Sequence, residues 1–313
     1  VACEELGAAR GDRKAIHPND DVNMGQSTNN VFPSAIKIAG VELSGKLLAA
    51  ARKLRAELRK KEGEFADVIK SGRTHLQDAV PITLGQEFGA YARAIEKDIK
   101  RVEAAKLKLH ELGAGGNAIG TGVNTKKEFR PVIIRELSLI TNETYEGAEN
   151  GIEITQFLTD VAEMSSAVKL LALDLQKICN DLRLLASGPN TGLREIDLPA
   201  VEPGSSIMPG KINPSICEAA NMACMAVMGY DHALVLACGA GQLELNTHMP
   251  LIGYNLVKAM QIMARACDML AEKCVAGIVA HRETCTKYFE TSAGLATVLN
   301  PKLGYDQIGR AHV

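Results

Sequence analysis

Tryptophan is absent from this 313-residue chain, and aromatic residues make up only 4% of it. A core here must be built from Ala, Leu, Ile, Val and Met, which packed helices accommodate well. Charge of one sign is also missing: 35 basic against 37 acidic residues leave a net charge of -2. That balance excludes the basic surplus of a nucleic-acid or membrane-surface binder. No apolar run reads as long enough to span a bilayer, and no charged-then-apolar stretch of the signal-peptide kind stands at the start. None of the eight cysteines forms a Cys-x-x-Cys pair, which argues against a zinc site. Their apolar settings predict small core residues in a reducing compartment rather than disulfides.

What is present is helical periodicity. From Ile154 to Leu185, apolar residues recur at steps of three and four, taking in Phe157, Leu158, Val161, Val168, Leu175 and Leu182. The spacing predicts a helix of about nine turns, a length that suits a bundle. Further helices are expected over about 34–61, 85–112, 214–236, 246–277 and 282–299, and no series of alternating strands. The fold class is therefore all-α, a long-helix bundle. Three polar, Gly- or Pro-rich breaks interrupt it: His17–Pro33, Ser71–Pro81 and Ser187–Pro214. A loop as long as the third, inside a compact helical protein, is usually functional or disordered.

The third break holds the string from Gly204 to Pro214, Gly-Ser-Ser-Ile-Met-Pro-Gly-Lys-Ile-Asn-Pro. Gly204 and Gly210 let backbone turn and approach a ligand closely. Ser205 and Ser206 offer hydroxyls and N–H groups, Lys211 a cation and Asn213 an amide. These are the parts needed to hold a carboxylate and to stabilise further negative charge on it.

This string resembles the signature of the fumarase/aspartase superfamily. His17–Asn29 and Gly72–Ala79 resemble two further regions of that family, and 115–124 and 177–189 match others, so the likeness runs from about Ile16 to Asp306. The resemblance implies that Ser205 is the general base taking the Cβ proton, its alkoxide supported by backbone N–H groups and Lys211. It implies that His75 pairs with Glu218, which fixes the imidazole tautomer and raises its basicity. Thr74 and His75 would contact one substrate carboxylate. Ser27, Thr28 and Asn29 would bind the other carboxylate and the leaving group. Ser206, Ile207 and Met208 line the substrate, while Lys211 and Asn213 hold the carboxylate that becomes an aci-carboxylate dianion. His17, Asn19 and Asp20 would form a second dicarboxylate site. The implied reaction is a carbon–nitrogen lyase step, anti-elimination of ammonia from L-aspartate to give fumarate. No redox cofactor and no tightly held metal is expected. The implied assembly is a homotetramer whose central helices pack together and whose sites are each built from three subunits, with a small dicarboxylate as substrate and no nucleic acid or membrane partner. Cytoplasm is the expected compartment, or mitochondrion if a leader is missing.

Branch signals divide. The 241–246 segment, Gly-Gln-Leu-Glu-Leu-Asn, the absence of the fumarase Asn-Lys-Phe-Glu-Ala pattern in 149–160, and Lys177–Leu185 read closer to aspartases; Cys217-Glu218-Ala219 reads closer to fumarases. Fumarate hydratase is the alternative activity, and an inactive structural homologue the second alternative. Asn30 stands where the family usually has Asp. The expected domains are 1–15, a remnant of an N-terminal domain; 16–300, the catalytic helical bundle; and 301–313, the start of a C-terminal domain. The last six residues, Ile308–Val313, break the family pattern and read as a translated sequencing adapter, so a non-native tail is expected there.

Overall fold

The computed structural model describes residues 1–204, 207–298 and 300–304. Ser205, Ser206 and the 308–313 tail thus lie outside the described residues. In chain order the helices are α1 (Ala2–Glu5), α2 (Thr28–Glu64), α3 (Leu84–Lys108), α4 (Phe129–Thr141), α5 (Gly151–Gln156), α6 (Thr159–Leu185), α7 (Ser215–Cys238), α8 (Met249–Lys273), α9 (Arg282–Thr291), α10 (Leu295–Val298) and α11 (Asn300–Leu303). The strands are short: β1 (Ile69–Thr74) pairs antiparallel with β2 (Gln77–Thr83), β3 (Glu111–Leu112) parallel with β4 (Glu146–Gly147), and β5 (Ile196–Asp197) antiparallel with β6 (Val279–Ala280).

The chain divides into two compact units, and the long helices α2, α3, α6, α7 and α8 each contribute one part to each. The first comprises 1–45, 103–166 and 229–260. Its core includes Ile36, Val41, Leu109, Val161, Leu234 and Leu256. A buried cation is held in it: Lys37, only 2% exposed, donates from Nζ to Asp160 Oδ2 at 2.6 Å and to the Glu111 carbonyl at 3.1 Å. The second unit comprises 46–102, 167–228 and 261–313. Leu54, Phe65, Phe88, Ile95, Leu171 and Leu270 are buried there. Phe88 lies edge-on to both Phe65 and Tyr91, the preferred arrangement for rings whose faces are negative and edges positive.

The structure adds α4 (Phe129–Thr141), which the sequence reading did not expect, and corrects the expected elements in four further places. The Ile154–Leu185 periodicity is two helices, not one. Phe157 is extended (φ -103°, ψ 131°) between α5 and α6 and is 56% exposed, while Leu158 remains buried. Periodicity survives the break because a core-facing residue follows it. Helix α2 begins at Thr28, before Pro33, rather than at Ser34. A proline this early removes one hydrogen bond of the first turns, and the Asn29 and Asn30 side chains tether that turn to the Ala118 and Asn117 carbonyls. The second break is not a loop but the β1–β2 hairpin. Finally, α7 is long and apolar enough, by length and composition alone, to cross a membrane, though just 33% of its most apolar window is buried.

Six of the cysteines are buried as free thiols, as expected of small core residues, and Cys217 and Cys274 bring their Sγ atoms to 3.7 Å.

Candidate active site

The hairpin explains how His75 is presented. Thr74 pairs with Gln77, so His75 and Leu76 form a two-residue turn. Both have positive φ, 55° and 58°, the hand that matches strand twist but normally calls for Gly or Asn. Each side chain in that region costs about 1–2 kcal/mol. Leu76 recovers little of this, being 70% exposed. Strain held at an exposed tip points to function rather than stability. Below the tip, Gly72 opposes two residues of β2, and a Cβ on it would meet the Val80 carbonyl at 2.7 Å. Only glycine permits that approach.

The hairpin is anchored from beneath. Glu195, fully buried, receives Lys70 Nζ at 2.6 Å and Arg73 Nη1 at 2.7 Å; Lys70 also reaches Glu87 at 2.7 Å. The Arg73 guanidinium lies 5.5 Å from the Tyr288 ring centroid. Burial pushes the neighbouring Cys285 thiol up to about 11, so it sits there neutral, its Sγ 3.7 Å from the Glu195 carbonyl. Burial likewise drives the Tyr91 hydroxyl upward, with Glu87 and Asp181 adding to the effect, and it donates to Asp181 at 2.8 Å.

The third break folds over a cleft of about 520 Å³. Lys211, Asn213 and Glu218 line it, together with Asn180, Arg183 and Arg194. The break is built from local bonds: Leu193 N–H donates to Ser187 Oγ at 3.0 Å, and Arg194 N–H to the Ser187 carbonyl at 3.0 Å. Gly204 lies so close to the Lys211 carbonyl that a Cβ would sit 2.7 Å from it. Ile207 and Met208 are exposed, at 85% and 50%.

Of the charged groups around this cleft, Glu218 is held by Arg183 at 3.3 Å, and the His281 ring lies 2.6 Å from Asp197. Among the described residues no ion pair engages Lys211 or Arg194. The cleft therefore offers uncommitted positive charge beside the Asn213 amide, which suits a carboxylate. Arg183 and Arg194 escaped the reading of the sequence. The positive φ of Arg194, 46°, is invisible in sequence, but its place in the same Gly/Pro-rich break was a usable signal.

His75 does not meet Glu218 within one chain. Its side chain makes no hydrogen bond among the described residues, and Glu218 turns to Arg183 instead.

In the other unit, Ser27, Thr28 and Asn29 open α2. Ser27 Oγ accepts from Asn29 N–H at 3.2 Å, and Asn29 Nδ2 donates to the Ala118 carbonyl at 2.8 Å. Thr28 is exposed. Asn30 is fully buried, and its amide nitrogen donates to the Asn117 carbonyl. An ionised Asp could not donate that bond, while the buried Asn30 Oδ1 finds no donor among the described residues. At His17, ring Nδ1 accepts the N–H groups of Asn19 (3.3 Å) and Asp20 (3.1 Å), and His17 N–H donates to Asp21 Oδ2 at 2.7 Å. An anion bound at this turn would have to displace the ring from those donors.

A family model described as lyase matches residues 1–229, which takes in the hairpin and the whole cleft-lining break. The chain belongs to this lyase family, within the fumarase/aspartase superfamily. An aspartate ammonia-lyase from Helicobacter pylori is 47% identical over 98% of the chain, and the chain spans 66% of that relative's length, just under two thirds. Among solved structures, a fumarate lyase:delta crystallin from Brucella melitensis is 45% identical with a TM-score of 0.91, covering 98% of this chain and 69% of that one. A class II fumarase from Schistosoma mansoni is 37% identical with a TM-score of 0.90, covering 93% and 64%. The all-α bundle of this lyase chain is thus the fold of fumarate-forming lyases.

Proposed function

We propose that the protein eliminates ammonia from L-aspartate to give fumarate. The observation that carries this reading is the cleft in which Lys211, with no ion-pair partner among the described residues, stands beside Asn213, in a chain nearly half identical to an aspartate ammonia-lyase. The proton beside a carboxylate is very weakly acidic, so the barrier falls only where fixed groups meet the charge that develops. Lys211 and Asn213 receive the carboxylate as it takes up a second negative charge. Ser205, on the same short loop, removes the Cβ proton. Thr74 and His75 hold a substrate carboxylate, and Ser27, Thr28 and Asn29 hold the other and the departing amine. Fumarate hydration is the second reading, favoured by the class II fumarase likeness.

The site is assembled from several copies of the chain. The strained tip that exposes His75, with no partner for the ring among the described residues, fits a residue waiting for a neighbour. So does α7, where Met222, Met225 and Leu236 are 65%, 57% and 63% exposed. A homotetramer covers such a face. The test is fumarate absorbance with L-aspartate, using the complete gene product and Ser205→Ala as control, across size-exclusion fractions. Activity confined to the tetramer fraction and lost in the control supports the proposal. Activity at monomer size removes the shared-site part of it, and no fumarate from aspartate removes the reaction.

A further inference from the structure

The Glu195 carboxylate lies at the junction of two of the three segments that carry the proposed chemistry. Its own backbone is fixed on both sides: Glu195 N–H donates to the Leu185 carbonyl at 2.9 Å, and its carbonyl accepts from His281 N–H at 2.9 Å. The side chain is completely enclosed. From this fixed point two donors reach β1, Lys70 at 2.6 Å and Arg73 at 2.7 Å. Residues three apart on a regular strand face opposite ways. Here Gly72 stands between them, opposite the extra residue of β2, where local twist increases, and the two long side chains converge on one carboxylate. Arg73 immediately precedes Thr74 and His75. Glu195 itself immediately follows Arg194, which lines the cleft.

Lys70 also has Glu87 at 2.7 Å, so two carboxylates balance two cations, and Glu195 is the one of the two that reaches Arg73. What Glu195 adds is a link between the strand that presents His75 and the break that carries Lys211. A buried carboxylate between two cations is fixed in direction as well as distance, because each oxygen has its own cation: Oε1 accepts the Arg73 hydrogen bond, and Oε2 lies 2.6 Å from the Lys70 ammonium as an ion pair. We infer that Glu195 is a positioning residue for the reaction, acting through His75 by fixing the hairpin whose tip presents that ring to the shared site. This rests on the lyase reading given above.

The test is a double-mutant cycle in the complete gene product, with kcat/KM for L-aspartate measured for Glu195→Gln, His75→Ala and the pair. Residues that act as a unit give non-additive losses. The expected result is a fall of at least tenfold for Glu195→Gln in the parent and under threefold in the His75→Ala background, at unchanged oligomer size. A change under twofold in the parent, or the same fold loss in both backgrounds, overturns the inference, since general destabilisation acts equally in both. If Glu195→Gln does not fold, Arg73→Gln replaces it in the cycle, because Lys70 then still neutralises Glu195. If the parent makes no fumarate from aspartate or malate, the lyase reading fails and the positioning role is read separately, by hydrogen exchange. Faster exchange confined to hairpin amides 74–80 in Glu195→Gln sustains the link, and unchanged exchange there overturns it.

Discussion

Asp98 gives the sharpest stability test. It lies on α3 with no exposed surface, its Oδ1 meets Arg101, and its Oδ2 finds no donor. Asp174 of α6 stands close enough to share Arg101, at 3.9 Å, and the Cys267 thiol of α8 lies within reach of its charge. Burial first, and the Asp174 charge second, push the Asp98 carboxyl from its ordinary 3.8 up to about 7. Between those values the native state holds a proton that the unfolded chain has released. Stability therefore falls as pH rises through this window, the reverse of an ion-paired aspartate. At about 1.4 kcal/mol per pKa unit, the cost above pH 7 is on the order of 4 kcal/mol. Asp98→Asn keeps the shape and removes the titration. Arg101 is 42% exposed and gives up little. Urea unfolding of parent and variant at pH 4.5 and pH 8 reads the difference. The variant's advantage should grow by roughly 3 kcal/mol between the two. An advantage that stays flat with pH, or shrinks, refutes the reasoning.

Other outcomes follow from single contacts. Leu76→Gly should raise stability by about 1 kcal/mol by relieving a left-handed residue whose side chain is mostly in water, and a lowered denaturant midpoint would contradict this. Asp160→Asn strands the buried Lys37 ammonium and should cost about 3–5 kcal/mol; Lys37→Met leaves a carboxylate that is 34% exposed and should cost less than half as much. Equal losses would show that burial does not set the asymmetry. Gly120→Ala places a Cβ 1.9 Å from the Gly151 carbonyl at φ 94° and should reduce the yield of folded protein sharply, whereas normal expression and melting would be contrary. A thiol reagent added to folded protein should react promptly only with Cys3, because six thiols are buried and burial pushes the half-buried Cys238 thiol up to about 11, leaving little thiolate; prompt reaction of a second thiol contradicts this.

The bundle was legible because apolar residues recur at steps of three and four over spans too long for chance, and the cleft-lining break because 204–214 combines turn-makers with a cation and an amide. The hairpin was not. Its strand Ile69–Thr74 buries Lys70 and Ser71, so no alternation of apolar and polar residues marked it, and a His-Leu turn carries none of the Asn-Gly chemistry that announces one. Lys70, Glu87 and Glu195 lie far apart in sequence and read as surface charges until folding joins them. The α5–α6 break left no trace because Leu158 keeps the core-facing rhythm across it. Helix α4 was missed altogether: Pro131 stands in its first turn, and only Ile134 of it is buried, so its stripe is narrow. The expected pairing of His75 with Glu218 is not made within one chain, and one chain's sequence says nothing of which copy would supply which side chain.

The central claim is that the amine is the leaving group. Initial rates of fumarate formation from L-aspartate and L-malate, measured side by side on the complete gene product with Ser205→Ala as the blank, test it most directly. The account requires kcat/KM for aspartate to exceed that for malate by at least a hundredfold, with ammonia released mole for mole with fumarate. Fumarate from malate at the higher rate, without ammonia from aspartate, would contradict it and leave a fumarate hydratase.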